Sequence, residues 1–357
     1  DRILIQPGSY PAFSITKSVT ILGLGTTVDA VVVGGIHLGL GLTNQHYRVA
    51  VSRLRIEPGA HAPLAVSGQE LGVGQIEFES VEIAGGFRLL AGEAGFVLSL
   101  ANCSIAGAVG QGFDGATCAI AAPAPSTFAL TRCRFEGAPG DFFAAQPPLA
   151  GLLLDRGVTV QIAQCEIRGG DGGIAQAGAA GLWVRNAQVR SLGSASNVRG
   201  GDGGPGASGG PGVRTTSTVF YGNATIAGGL PNGPIAAGSG TVLPSTGIDP
   251  ELEVLVHQVP TGPVVVNPGT QFGWQLDAHG APALVVLSMT IGDPQPAPFE
   301  RLLIDPATGT LAGTTFQMTL PAFGGFVGLP LFGQGVSIDP AHNAVLATAP
   351  FALRLDG

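Results

Sequence analysis

The chain has 357 residues, 45% of them hydrophobic and only 11% charged, with a net charge of −8, 58 glycines and 27 prolines. Such a chain can bury a large core and is too apolar for intrinsic disorder, while its acidity and its lone lysine, Lys17, exclude a phosphate-binding surface and hence a nucleic-acid partner. No apolar run reaches the roughly 18 residues that a membrane-spanning helix needs, and the start at Asp1 without a signal peptide fits a mature secreted product.

Residues Asp1–Tyr10 and Phe13–Gly25 read as short β-branched runs separated by turns. From Val19 a pair of apolar or small residues flanking one outward residue recurs eight times, as Val19/Ile21, Leu54/Ile56, Val81/Ile83, Cys103/Ile105, Cys133/Phe135, Cys165/Ile167, Ser196/Val198 and Ala224/Ile226. Alternation within each pair marks a strand with one buried face. A spacing near 30 residues marks stacked coils, each strand pairing with its counterparts one coil above and below. The clearest copy, 163–186, returns 31 residues later, and both copies run into Gly-Gly-Asp-Gly-Gly, at 169–173 and 200–204.

The stretches Ile5–Tyr10 and Lys17–Gly23 resemble the first coil of secreted right-handed parallel β-helix proteins of the pectate-lyase-like superfamily. The resemblance implies that fold and an extracellular or cell-surface location, and it implies no activity. The expected architecture is all-β: a right-handed parallel β-helix of about eight coils over 1–228, a Gly/Pro-rich linker or cap over 229–250, and a small antiparallel β-sandwich over 251–357. The stretches Leu303–Gly309 and Leu329–Pro340 resemble the small carboxy-terminal β domains of secreted bacterial β-helix proteins.

Outward positions are where chemistry would sit. In register, Arg55 falls beside Glu82, Arg134 beside Glu166 and Glu136 beside Arg168, which reads as a solvated face with cross-strand ion pairs. Asp114, Asp141, Asp155, Asp171 and Asp202 are not paired in sequence, and the Asn-x-Asp, Asp-Asp, Gly-His-Gly and Arg-x-Lys motifs of polygalacturonases are missing. Asp171 and Asp202, side by side on adjacent coils among exposed carbonyls, are the candidate Ca²⁺ ligands and the only cofactor site the sequence admits. The simpler reading is that glycine supplies a left-handed backbone at tight corners while Asp caps the turn. His37, His46, His61, His257, His279 and His342 show no metal-ligand spacing, and Ser208, in a Gly-x-Ser-x-Gly match, has no helix after it to make a nucleophile elbow. Cys103, Cys133 and Cys165 share one inward position and should form a ladder of free buried thiols, leaving Cys118 as the one best placed to find a partner.

No catalytic residue emerges. The sequence favours a non-catalytic extracellular structural or adhesive protein. A polysaccharide lyase or glycoside hydrolase with a groove along the helix is the alternative, and an extracellular polysaccharide is the other candidate partner. Two tryptophans and three tyrosines are few for a glycan groove, which favours the former. Because only Asp1 and Arg2 precede the first strand-like run, a first coil closed by another copy, giving a homo-oligomer, fibre or surface array, is expected; a capping segment outside this chain would serve equally.

Overall fold

The structure, a computed structural model, describes residues 1–40, 47–59, 64–72, 74–91, 96–107, 114–122, 126–141, 143, 145–192, 196–216, 219–221 and 224–233, and beyond them 245–248, 253–257, 265–266, 271–277, 283–288, 310–313, 315–319, 330–339, 344–347 and 351–355. Apart from one 3-10 turn at Val28–Ala30, every described regular element is a strand.

The chain passes in turn through three stacks of parallel strands, an arrangement compatible with a parallel β-helix or solenoid. Stack one runs from Arg2–Ile5 to Ser245–Ile248. Stack two runs from Gly8–Tyr10 to Thr225–Ala227. Stack three runs from Phe13–Ile15 to Val213–Thr215. All three turn alternate residues inward onto one continuous core, in which Phe78, Phe87, Phe96, Phe128 and Phe135 are the bulkiest side chains.

The inward ladder of stack two is Leu54, Val81, Cys103, Cys133, Cys165 and Ser196, followed two residues on by Ile56, Ile83, Ile105, Phe135, Ile167 and Val198. One member of the sequence-derived series is misplaced. Val19 and Ile21 align with Val49 and Val51 in stack one, and the second circuit enters stack two at Val31–Val33. Stack two therefore holds nine strands among the described residues, one more than the recurrences counted.

Between stacks one and two the chain bends at a single residue. Arg53, Ser80, Asn102, Arg132 and Gln164 occupy this corner on successive circuits, all left-handed with φ between 52° and 55°. A non-glycine residue costs about 1 kcal/mol in that region, a cost borne here because the flanking ladders fix both strand directions.

The cysteine ladder forms as expected. Burial pushes the Cys103, Cys118 and Cys133 thiols well above their usual range. Each ladder thiol donates to a carbonyl of the preceding circuit: Cys103 to Phe78, Cys133 to Leu100 and Cys165 to Leu130, at 3.3–3.4 Å. Cys118 is a correction, being free and buried in stack three like the others.

The 229–250 segment contributes Ser245–Ile248, which extends stack one by pairing in parallel with Val219–Tyr221. Beyond it the described strands form two further sheets. Glu253–His257, Gln271–Asp277 and Thr315–Thr319 make an antiparallel three-stranded sheet. Ala283–Ser288, Thr310–Ala312, Pro330–Asp339, Ala344–Ala347 and Phe351–Leu355 pair antiparallel in a second, joined in parallel by Val265–Val266. The Leu303–Gly309 stretch lies outside the described residues.

Stack one has a covered outer flank. Its outward residues Ala50, Ser52, Ser99, Ala101, Ala129 and Gln161 are buried, and Gln334, from Pro330–Asp339, donates to the Gln161 side-chain oxygen at 3.1 Å. Glu77 and Glu79 stand on the same flank, in register between Ala50/Ser52 and Ser99/Ala101, and are buried as well.

Candidate functional site

Between stacks two and three, successive circuits send out glycine-rich arms at 137–149, 169–181 and 200–212, with 228–233 following. Each arm is an out-and-back excursion. Outgoing Ala138, Gly170 and Gly201 accept hydrogen bonds from returning Leu149, Ala179 and Gly210 at 2.8–2.9 Å. Between arms, Gly170 donates to Leu149, Gly201 to Ala179 and Gly229 to Gly210. One hydrogen-bond ladder therefore runs through alternating outgoing and returning limbs. Outgoing limbs also bond to each other, Gly140 to Asp171, Gly172 to Asp202 and Gly203 to Leu230.

This geometry corrects the reason for the glycines. Among those of the two Gly-Gly-Asp-Gly-Gly runs, none has a left-handed φ; instead, a Cβ on Gly170 or Gly201 would sit 1.9 Å from the carbonyl oxygen of Ala138 or Gly170. Backbones pack closer than any side chain permits, as at the crowded axis of collagen. Left-handed backbone is confined to the tips. Gly173–Gln176 and Gly204–Ala207 are turns whose third residues, Ala175 and Gly206, have φ of 57° and 76°.

Asp171 and Asp202 do lie side by side, held by partners. Arg168 donates to both oxygens of Asp171 at 2.9 Å, and Arg199 to Asp202 at 2.7 Å. The Asp171 carboxylate accepts the Asp202 amide at 2.8 Å, and Asp202 accepts the Leu230 amide at 2.7 Å. Each carboxylate thus ties its arm to the next one, and no cluster of three metal-ligating side chains occurs among the described residues.

On stack two the expected neighbours are in register, with Arg55 reaching Glu82 at 3.4 Å and also Glu57 and Asp29, and Arg134 reaching Glu166 at 3.8 Å and Glu136 at 3.1 Å. The third pair is in register too, and only its ion pairing differs. Glu136 is opposite Arg168, whose guanidinium turns to Asp171 and Asp202 instead.

A cleft of about 620 Å³ lies in the corner between the returning limbs and stack three. Its walls are Pro147, Pro148, Ala177–Ala180 and Pro211 from the arms, and Ala150, Trp183, Val213, Arg214 and Thr215 from the strands. Trp183 stands outward between Leu153 and Arg214 in the strand register and reaches back over Gly115, whose missing side chain leaves room for the indole. The Arg214 guanidinium lies 4.7 Å from the indole centroid. Arg185 lies 5.4 Å from it and binds Asp155 at 2.7 Å and Asp114 at 2.9 Å, so that its own charge is held firmly. Arg214 has no carboxylate partner among the described residues, which leaves its fork of donors aimed from the cleft wall.

No family model, curated protein or solved structure matches the chain. Function must therefore be read from this surface alone. Sequence reasoning counted Trp183 as a scarce aromatic and passed over Arg214. The signal available was the alignment of both, by the 31-residue repeat, in one outward column. Asp114 and Asp155, unpaired in sequence, are brought together on Arg185. Ser208 lies in the third arm, where its carbonyl accepts the Gly178 amide. Of the histidines, His37 hydrogen-bonds Ser67 at 3.0 Å on the outer face of stack three, while His46, His61, His279 and His342 lie outside the described residues.

Proposed function

We propose that this chain is a right-handed parallel β-helix of nine circuits followed by an antiparallel β-sandwich, serving as a non-catalytic extracellular or cell-surface structural or adhesive protein. The observation that carries the reading is the use made of its charges. Arg55, Arg134, Arg168 and Arg185 each hold a carboxylate of a neighbouring circuit, so acidic groups of the outer faces tie circuits together. Hydrolysis of a glycoside needs two carboxyl groups free to act as acid and as base or nucleophile. Two pairs that stacking brings together share an arginine instead, Asp114 and Asp155 on Arg185 and Asp171 and Asp202 on Arg168.

Reducing-sugar and unsaturated-uronate assays over a polysaccharide panel test this, with no turnover expected. Clear turnover would install the second reading, a polysaccharide lyase or hydrolase. One observation favours that reading: Arg214, a cation without a carboxylate partner among the described residues, sits beside an indole in a cleft, and a lyase can use such an arginine as its base.

A further inference from the structure

The Trp183 cleft is lined almost wholly by proline, alanine, glycine and valine, with Arg214 and Thr215 as its polar side chains. A sugar would need several more hydrogen-bonding partners, whereas an apolar side chain beside one carboxylate would match the lining. The same arms present such a pair at their tips. Residues Asp141 and Gln146 exchange backbone hydrogen bonds at 2.8 Å, and the Asp141 carboxylate accepts the Phe143 amide at 2.8 Å. Phe143 has 88% of its surface in water, and the tip of the next arm presents Ile174, 48% exposed. Together the two tips offer a ridge of two exposed apolar side chains on neighbouring arms, which Gly140 and Asp171 join by a main-chain hydrogen bond.

We propose that the occupant of the Trp183 cleft is a second copy of this chain, which inserts its Phe143 tip against Trp183 and the prolines and sets Asp141 toward Arg214. Ridge and cleft belong to one projecting layer, the arms, with the cleft at the base of the limbs whose ends carry the ridge. Two copies related by a twofold axis engage both contacts at once, each arm layer hooked into the corner of the other, and the assembly closes as a dimer. Charge matches across the contact, since the tip brings a carboxylate to the described cation of the cleft that lacks one. The proposal rests on the structural reading above and names its partner. Turnover assays test that reading and association assays test this one, so the two fail separately.

Sedimentation equilibrium of the full chain is the test, with Phe143→Ala as the ridge variant and Arg214→Asp as the cleft variant. Both side chains are exposed, and unchanged melting curves verify that each variant folds. The expected result is a wild-type dimer whose dissociation constant rises roughly tenfold or more in either variant, because buried aromatic and arginine anchors dominate such contacts. An equimolar mixture of the variants should associate more tightly than either alone, since a mixed dimer confines both defects to one of its two contacts. A chain that stays monomeric at its highest soluble concentration, a dimer indifferent to both variants, or growth beyond the dimer would each overturn the proposal. So would a monomer that binds uronate oligosaccharides in a calorimeter and loses them on Arg214→Asp.

Discussion

Gly201→Ala probes the close packing of the arms. The new Cβ would lie 1.9 Å from the Gly170 carbonyl oxygen and 2.5 Å from its carbonyl carbon, both backbone atoms that cannot rotate aside. Restoring ordinary contact requires the limbs to part by more than about 1 Å, and overpacking of that kind costs about 1–3 kcal/mol. The same displacement strains two ladder bonds, Gly201 to Ala179 at 2.9 Å and Gly210 to Gly201 at 2.8 Å. Each contributes about 1 kcal/mol, while the lower unfolded-state entropy of alanine returns about 0.5–1 kcal/mol. The expected loss is about 3 kcal/mol, read as a lower urea midpoint at unchanged slope. Gly206→Ala is the matched comparison: at φ 76° its Cβ meets nothing within 4 Å, so only the left-handed backbone is penalised. That penalty is about 1 kcal/mol. If Gly206→Ala proved as damaging as Gly201→Ala, backbone handedness would be the reason for the glycines, and the close-packing account would fall.

Asp155→Ala should destabilise by about 2–3 kcal/mol, since Arg185 is left with Asp114 alone in a half-covered site; a double-mutant cycle with Arg185→Ala would expose an independent pair by additivity. All four cysteines should resist a thiol reagent in the native state and react on unfolding; rapid native labelling of three or more would contradict the buried ladder. Because burial raises the Cys103, Cys118 and Cys133 thiols, the unfolded chain loses their protons first as pH rises. Stability should be intact below the unfolded-thiol pKa near 8.5 and fall above it by about 1.4 kcal/mol per pH unit per thiol. Urea midpoints at pH 8 and pH 10 measure this, and replacing the three cysteines with alanine should flatten the difference. Millimolar Ca²⁺ should leave the melting temperature unchanged, since Arg168 and Arg199 already hold Asp171 and Asp202; a rise that Asp171→Asn abolishes would show that the cation displaces them.

What could be read from the sequence was whatever repeats at side-chain level. The inward ladder from Leu54 to Ile226 and the cysteine column were legible because burial imposes residue type at fixed spacing. The opening circuits are harder to read, since Val19–Gly23 and Val31–Val33 both carry β-branched residues at alternate positions and only the second belongs to stack two. The corner was illegible. Arg53, Ser80, Arg132 and Gln164 are not residues that seek a left-handed backbone, and only Asn102 is; the bend is dictated by the strands on either side. The Trp183 cleft stayed hidden because its walls are mostly glycine, alanine and proline, which announce turns and give no sign of a concave surface.

Because the arms are joined limb to limb through main-chain groups, their length is decoupled from the stack they spring from. Stack height is set by the number of circuits, each of which needs apolar residues at fixed inward positions. Arm reach is set by how many small residues are placed before the tip turn. The arms at 169–181 and 200–212 share one length because their tips bond to each other, Ala175 to Pro205 at 3.0 Å. Lengthening both together, by equal numbers on the outgoing and returning limbs, would extend the layer by about 3.3 Å per added pair and leave the core untouched. The molecule can thus grow in two perpendicular directions under separate rules, and a lineage could widen its contact surface without re-solving the packing of its interior.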